Sequence, residues 1–222
     1  MMATAELLRF PNGPFQANAY LLIGRSGRHA AVIDPGLEVA PLLDAIRERD
    51  LTVDWILDTH GHLDHTAGNA ALKRATGAPL AIHADDVIWL QRLQAQGAAF
   101  GCRVEDSPAP DVVLRDGQRL PFDGGEIEVL HTPGHSPGSV CFRLGDLLLV
   151  GDTLFRGSVG RTDLPGGSWE ALLRSVRERL FVLPDALPCW PGHGEETTLG
   201  EERRDNPFVS DSAVGSGAGH RP

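Results

Sequence analysis

Trp55-Ile56-Leu57-Asp58-Thr59, running directly into His60-Gly61-His62-Leu63-Asp64-His65, is the stretch on which the reading of this chain turns. Trp55, Ile56 and Leu57 read as the end of a buried strand. The residues that follow set four nitrogen or carboxylate donors, His60, His62, Asp64 and His65, close together. Imidazole nitrogen and carboxylate oxygen suit zinc, iron or manganese. The motif is therefore expected at an edge where a strand gives way to a loop, presenting a metal site.

Working outward, apolar strands alternate with helices. Residues 19–23 and 30–33 read as strands, 39–49 as a helix and 53–57 as the strand that delivers the motif. A helix over 66–75, a strand over 80–82 and a helix over 85–96 follow, the last with apolar spacing at Val87, Leu90 and Leu93. Residues 97–110 read as a loop. In the second half, strands are expected at 112–114, 127–130, 140–144 and 147–150, a helix over 168–180 and a last strand at 186–190. Glu126-Ile127-Glu128-Val129 alternates as a strand with one wet face, whereas Leu147-Leu148-Leu149-Val150 reads as buried on both faces. The fold class is mixed α and β, with two sheets flanked by helices. From Ser210 the chain is Ser, Gly, Ala and Pro with almost no large apolar residue, and a disordered tail over 210–222 is expected after one domain over 1–209.

Composition narrows the functional classes. At 222 residues and 41% apolar content the chain can bury a core without disulfides. Cys102, Cys141 and Cys189 are odd in number, widely spaced and free of any Cys-x-x-Cys pair, which points to a reducing, cytoplasmic setting. A formal net charge of −10 and the absence of a Lys/Arg cluster disfavour nucleic-acid partners. Residues 1–10 have no signal-like pattern, and the apolar run at 147–150 is far too short for a membrane span.

Three later segments repeat the signature of a donor in a Gly/Pro-rich turn after an apolar strand: His131-Thr132-Pro133-Gly134-His135, Gly151-Asp152-Thr153 and Pro191-Gly192-His193-Gly194. His135, Asp152 and His193 thus join the first four donors. Seven exceed one tetrahedral zinc and suit two metals sharing a carboxylate and a solvent oxygen. His29, His83, His131 and His220 are read as non-ligands.

With these motifs in order, the chain resembles the metallo-β-lactamase superfamily, and within it the short glyoxalase II-like (hydroxyacylglutathione hydrolase-like) branch. The resemblance covers about residues 6 to 209. It rests on Asp34-Pro35-Gly36, Thr59 to His65, Thr132-Pro133-Gly134-His135-Ser136-Pro137-Gly138, Gly151-Asp152-Thr153-Leu154-Phe155, Gly160-Arg161-Thr162-Asp163 and Pro191-Gly192-His193-Gly194. It implies a four-layer αββα sandwich with the metals at the edge between its sheets. It also implies that His60, His62 and His135 hold one metal and Asp64, His65 and His193 the other, with Asp152 bridging. His131 and Asp58 are left as candidates for orienting a ligand from outside the metal shell.

The resemblance implies thioester hydrolysis. A metal-bridging hydroxide would attack the acyl carbon of S-lactoylglutathione or a related small acyl-thioester, with two divalent metals, zinc or alternatively iron or manganese, and Asp64 and Asp152 as the catalytic carboxylates. Arg161 would anchor an anionic substrate, or else pair structurally with Asp163. Two departures leave the substrate open: Glu195 stands where glyoxalase II enzymes carry an aromatic residue, and no counterpart of their C-terminal helical domain is expected from this sequence. Arg203 and Arg204 are read as a solvated helix end rather than a replacement. The alternatives are a persulfide dioxygenase with one iron on His62, His135 and Asp152, a lactonase, and a non-catalytic metal-binding module.

Overall fold

Seven consecutive buried residues, Ala17–Ile23, form the strand around which the first sheet is built. The computed structural model describes residues 5–215 and divides into two compact units. The first comprises the described residues up to Leu114 together with Arg119–Ile127, and the second Arg115–Gln118 and the described residues from Glu128 onward.

In the first unit, strands β1 (Glu6–Asn12), β2 (Ala17–Ile23), β3 (His29–Ile33), β4 (Thr52–Leu57), β5 (Leu80–His83) and β6 (Val112–Leu114) are hydrogen-bonded in sequence order. The first three are antiparallel, and β3 to β6 run parallel. The parallel crossovers are made through α1 (Ala40–Glu48), then α2 (Leu63–Thr66) and α3 (Asn69–Thr76), then a 3₁₀ turn (Ala84–Asp86) with α4 (Val87–Leu90) and α5 (Leu93–Ala99). α1 begins with Pro41 in its first turn, where a missing N–H costs nothing. Its Leu42 and Ile46, one turn apart, pack with Leu72 of α3 against Leu21, Val32, Ile56, Leu80 and Ile82. Each such fully buried aliphatic side chain contributes about 2 kcal/mol. The hairpin strand β7 (Arg119–Phe122) also belongs to this unit, where Trp55 donates its indole N–H to the Pro121 carbonyl at 2.8 Å.

The second sheet has the order β14-β13-β10-β9-β8-β7, with β8 (Gly125–His131), β9 (Val140–Leu144), β10 (Leu147–Gly151), β13 (Pro188–Pro191) and β14 (Thr197–Thr198). A separate two-stranded ribbon joins β11 (Leu154–Phe155) to β12 (Ser158–Val159). β10 and β13 are parallel neighbours. α6 (Trp169–Ser175), capped by the Ser168 side chain, continues into a π turn over Val176–Leu180 and lays Leu172, Val176 and Leu180 on Cys141, Leu148 and Val150. α7 (Leu199–Asp205) opens with a reciprocal capping box between Thr198 and Glu201. α8 (Asp211–Gly215) ends the described chain.

Several expectations need correction. The helix expected over 66–75 is two helices, broken at Gly68, where a Cβ would lie 2.3 Å from Val39 Cγ1. The helix expected over 85–96 is three short pieces, the last of which extends to Ala99 within the expected loop. β6, grouped by sequence with the second half, closes the first sheet as a parallel neighbour of β5. β1 went unread because Arg9 and Pro11 interrupt its apolar residues, and β7 because Pro121 sits in its middle. Within the span expected as a disordered tail, Ser210 is buried, Asp211 pairs with Arg177 at 3.0 Å, and residues 211–215 are helical. The rest of the expected tail, with His220, lies outside the described residues.

Candidate metal centre

In the first unit the donors stand at the ends of parallel strands. The register pairs Ile33 with Leu57, so Asp34 and Asp58-Thr59-His60 leave β3 and β4 side by side. This edge, beyond the carboxyl ends of parallel strands, is where α/β sheets place ligands. Buried Asp34 accepts the Thr59 backbone N–H at 2.7 Å on Oδ1 and the Thr59 hydroxyl at 2.7 Å on Oδ2, and its Oδ2 lies 3.1 Å from His65 Nδ1. Because the Thr59 hydroxyl gives its hydrogen to Asp34, its oxygen can only accept from His60 Nδ1, 3.0 Å away. One carboxylate thus sets the tautomer of two imidazoles, directing both Nε2 lone pairs inward. Asp34, His60 and His65 each offer an atom within 4.8 Å of the others, and the His60 ring centroid lies 4.7 Å from that of His62 and 4.2 Å from that of His65. Asp64 Oδ2 is 3.6 Å from His65 Nε2. Asp34 adopts φ +50°, a left-handed conformation costing about 1–3 kcal/mol, and is held there by these bonds and by the Gly36 N–H to His65 carbonyl bond of 2.8 Å.

The loop between the two leading histidines has its own supports. The Gly61 N–H donates to Asp86 Oδ2 at 2.8 Å, and a Cβ at Gly61 would lie 2.7 Å from Trp89 Cβ and 2.8 Å from the Asp86 carbonyl, so no larger residue fits. The Trp89 ring faces His62 edge-on at 6.3 Å.

In the second unit, His135 follows β8, Asp152 follows β10 and His193 follows β13. His135 Nδ1 donates to the Arg161 carbonyl at 2.8 Å, a partner that can only accept, so its Nε2 carries the lone pair. That Nε2 lies 3.5 Å from Asp152 Oδ2, and His193 Nε2 lies 3.6 Å from the same oxygen. A lone-pair nitrogen and a carboxylate oxygen at this separation repel unless a cation lies between them. A metal ion meets that demand without charging the imidazole, and a carboxylate shared between two histidines suits two ions. The donor chemistry therefore fits divalent metal. Thr132 and Thr153 hydroxyls, 3.1 Å apart, tie the His135 loop to the Asp152 loop, and a Cβ at Gly160 would lie 1.8 Å from the Asp152 carbonyl.

The structure resolves several roles that sequence left open. Asp58 does not orient an imidazole: its Oδ2 accepts from Asn69 Nδ2 at 2.7 Å, and burial, then the Asp34 charge, pushes its carboxyl well above the usual range. Asp34 does the orienting, and Thr59, Asp86 and Gln96 are supports that sequence reasoning missed. His131 places Nε2 2.9 Å from the Pro137 carbonyl, bracing the loop that carries His135. The Arg161 guanidinium forms a two-point pair with Asp163 at 2.7 and 2.8 Å, its hydrogen bond raising the Arg161 pKa and lowering that of Asp163. Glu195 pairs with Arg156 at 3.0 Å. Arg203 is engaged with Asp185 at 2.7 Å and with the Phe181 carbonyl. His29 pairs with Asp54, and His83 Nδ1 accepts the Asp85 N–H.

The chain matches the metallo-β-lactamase superfamily over residues 12–193 and belongs to it. It is 39% identical to the hydroxyacylglutathione hydrolase GloC of Haemophilus influenzae, over 90% of this chain and 96% of that protein. Among solved structures it is similar to the BLEG-1 B3 metallo-β-lactamase, at 34% identity and a TM-score of 0.86 over 92% of this chain and 99% of that one. It is also similar to TTHA1623 in a di-iron-bound form, at 41% identity and a TM-score of 0.83 over 90% and 98% of the two chains. The expected fold class is borne out: a mixed α/β chain with two sheets and helices, in the metallo-β-lactamase fold. Membership places the protein, at the coarse level, among metal-dependent hydrolases, with His and Asp groups suited to a binuclear site. No helix among the described residues is long and apolar enough to cross a membrane.

Proposed function

We propose that the protein is a binuclear metal-dependent thioesterase hydrolysing S-lactoylglutathione or a related small acyl-thioester. The observation that supports it most is the single oxygen of Asp152 set 3.5 Å from His135 Nε2 and 3.6 Å from His193 Nε2, the arrangement of a bridging carboxylate. As the family resemblance implies, His60, His62 and His135 would hold one ion and Asp64, His65 and His193 the other, with Asp152 serving both. The similarity to GloC supports the thioester class. Divalent cations held there would supply Lewis acidity toward the acyl carbonyl and a solvent ligand of lowered pKa, about 7.

The chain's own residues do the rest. Asp34 and Thr59 hold the protons of His60 and His65 on Nδ1, and the Arg161 carbonyl does the same for His135. The leaving thiolate, with a thiol pKa of about 8.5, departs without a protein acid. Arg161 receives the substrate carboxylate by exchanging its partner Asp163. Both side chains are more than half exposed (59% and 60%), and an exposed ion pair exchanges easily. Three unbridged cysteines fit a reducing cytoplasmic compartment, and the substrate is a small molecule rather than a nucleic acid or membrane.

The test is steady-state hydrolysis of S-lactoylglutathione by zinc-loaded protein, with a His60→Ala/His62→Ala double variant and an Arg161→Ala variant. The reading expects turnover lost in the double variant. Arg161→Ala should raise KM for glutathione thioesters far more than for neutral ones. Absence of turnover in the parent refutes the substrate, and equal KM effects refute the role of Arg161.

A further inference from the structure

Gln96 lies on α5, more than thirty residues from the histidine motif, yet its amide grips the motif's backbone on both sides of His62. Its Oε1 accepts the Leu63 N–H at 3.0 Å, and its Nε2 donates to the Gly61 carbonyl at 3.4 Å and the Trp89 carbonyl at 3.1 Å. Leu63 is the first residue of α2, the helix that carries Asp64 and His65, and no side chain of the preceding residue caps that helix. Gln96 therefore satisfies an N–H that a helix start leaves over, from another helix. Its second function fixes the peptide on the other side of the same histidine. A side-chain amide supplies the one acceptor and two donors that these contacts use.

We propose that Gln96 is a positioning residue for the metal centre: its clasp on the Gly61 and Leu63 peptides sets the direction of His62 and the start of the helix bearing Asp64 and His65. This rests on the metal assignment proposed above. Asp86 holds the Gly61 N–H, so three consecutive peptides of the loop are each gripped at one group, two of them by Gln96. Partners that bond a ligand side chain directly typically change metal affinity about 10- to 100-fold, and Gln96, acting through the backbone, belongs at the lower end of that range.

The test is zinc affinity, read by competition with a chromophoric chelator, in the parent, Gln96→Met, Gln96→Glu and Gln94→Met. Gln94 sits on the same helix and bonds Asp106 instead, which makes it the control for disturbing α5. Gln96→Met should weaken zinc binding by about tenfold and shift the visible spectrum of the cobalt-substituted protein, while Gln94→Met changes neither. Gln96→Glu keeps the acceptor for Leu63 and loses the donors, so it should fall between. If Gln96→Met does not fold, Gln96→Glu carries the test: affinity within twofold of the parent overturns the inference. Loss of metal-free thermal stability with unchanged zinc affinity and cobalt spectrum in either variant also overturns it, showing an ordinary packing role. A parent that binds no metal refutes the earlier assignment instead, which separates the two failures.

Discussion

Replacing Asp34 by Asn changes one charge at the point where two imidazoles are oriented. The carboxylate accepts three hydrogens: the Thr59 N–H, the Thr59 hydroxyl and His65 Nδ1–H. An amide can keep the Thr59 N–H on its oxygen, but its NH2 group then meets two donors on the Oδ2 side. The Thr59 hydroxyl hydrogen must turn away from Asp34, so the hydroxyl no longer fixes the His60 tautomer, and His65 loses its anionic partner. Asn tolerates a left-handed backbone as well as Asp does, so the φ of +50° is not newly strained and the effect is confined to the bonds. Misorienting the two imidazoles proposed as ligands should weaken metal binding about 10- to 100-fold, or about 1.4–2.8 kcal/mol. Zinc competition titration of Asp34→Asn against the parent reads this directly. Affinity within twofold of the parent would refute the claim that Asp34 orients the histidines.

Other consequences are separately measurable. The Asp54 hydrogen bond and charge raise the pKa of His29 above its usual 6.5, so this pair's stabilisation is fully present below pH 6.5 and fades as pH rises through the folded value. The melting-temperature difference between parent and Asp54→Asn should therefore shrink from pH 6 to pH 9, and a constant difference would contradict it. Gly160→Ala forces a shift of the Asp152 carbonyl, and should cost about 3 kcal/mol in chemical denaturation and reduce bound metal; a wild-type midpoint would show that the contact yields freely. Of the three cysteines only Cys102 is partly exposed, while burial pushes the Cys141 thiol up to about 11 and raises that of Cys189 as well. Maleimide labelling of native protein followed by peptide mass mapping should mark Cys102 alone, and labelling at Cys141 would refute its burial.

Three of the candidate donors are legible in the sequence because each follows an apolar strand and sits beside a glycine: His60 after β4, Asp152 after β10, His193 after β13. Local pattern carries that information. What it cannot carry is which distant side chain meets each imidazole. Asp34 and Asp58 both stand at strand ends, and only the parallel register of Ile33 against Leu57 puts Asp34 on Thr59 and His65 while Asp58 turns to Asn69. Gln96 was invisible for the same reason, its partners lying more than thirty residues away. Arg161 stands out in the sequence through the family resemblance, yet its carbonyl is what holds His135, a function any residue type could supply and no sequence motif announces. The segment 201–207, read as a solvated helix end, buries Glu202, which accepts the Gly157 N–H at 2.9 Å and the Asn206 amide at 2.7 Å; charge alone gave no hint of those partners.

Metal content at saturation tests the central claim most directly. Parent protein and Asp152→Asn, reconstituted with excess zinc and freed of unbound ion, would be assayed by elemental mass spectrometry against protein concentration. The bridging role proposed for Asp152 predicts about two zinc ions per parent chain and about one or fewer in the variant. A parent that saturates at one ion, or a variant that still holds two, would contradict a binuclear centre built on Asp152.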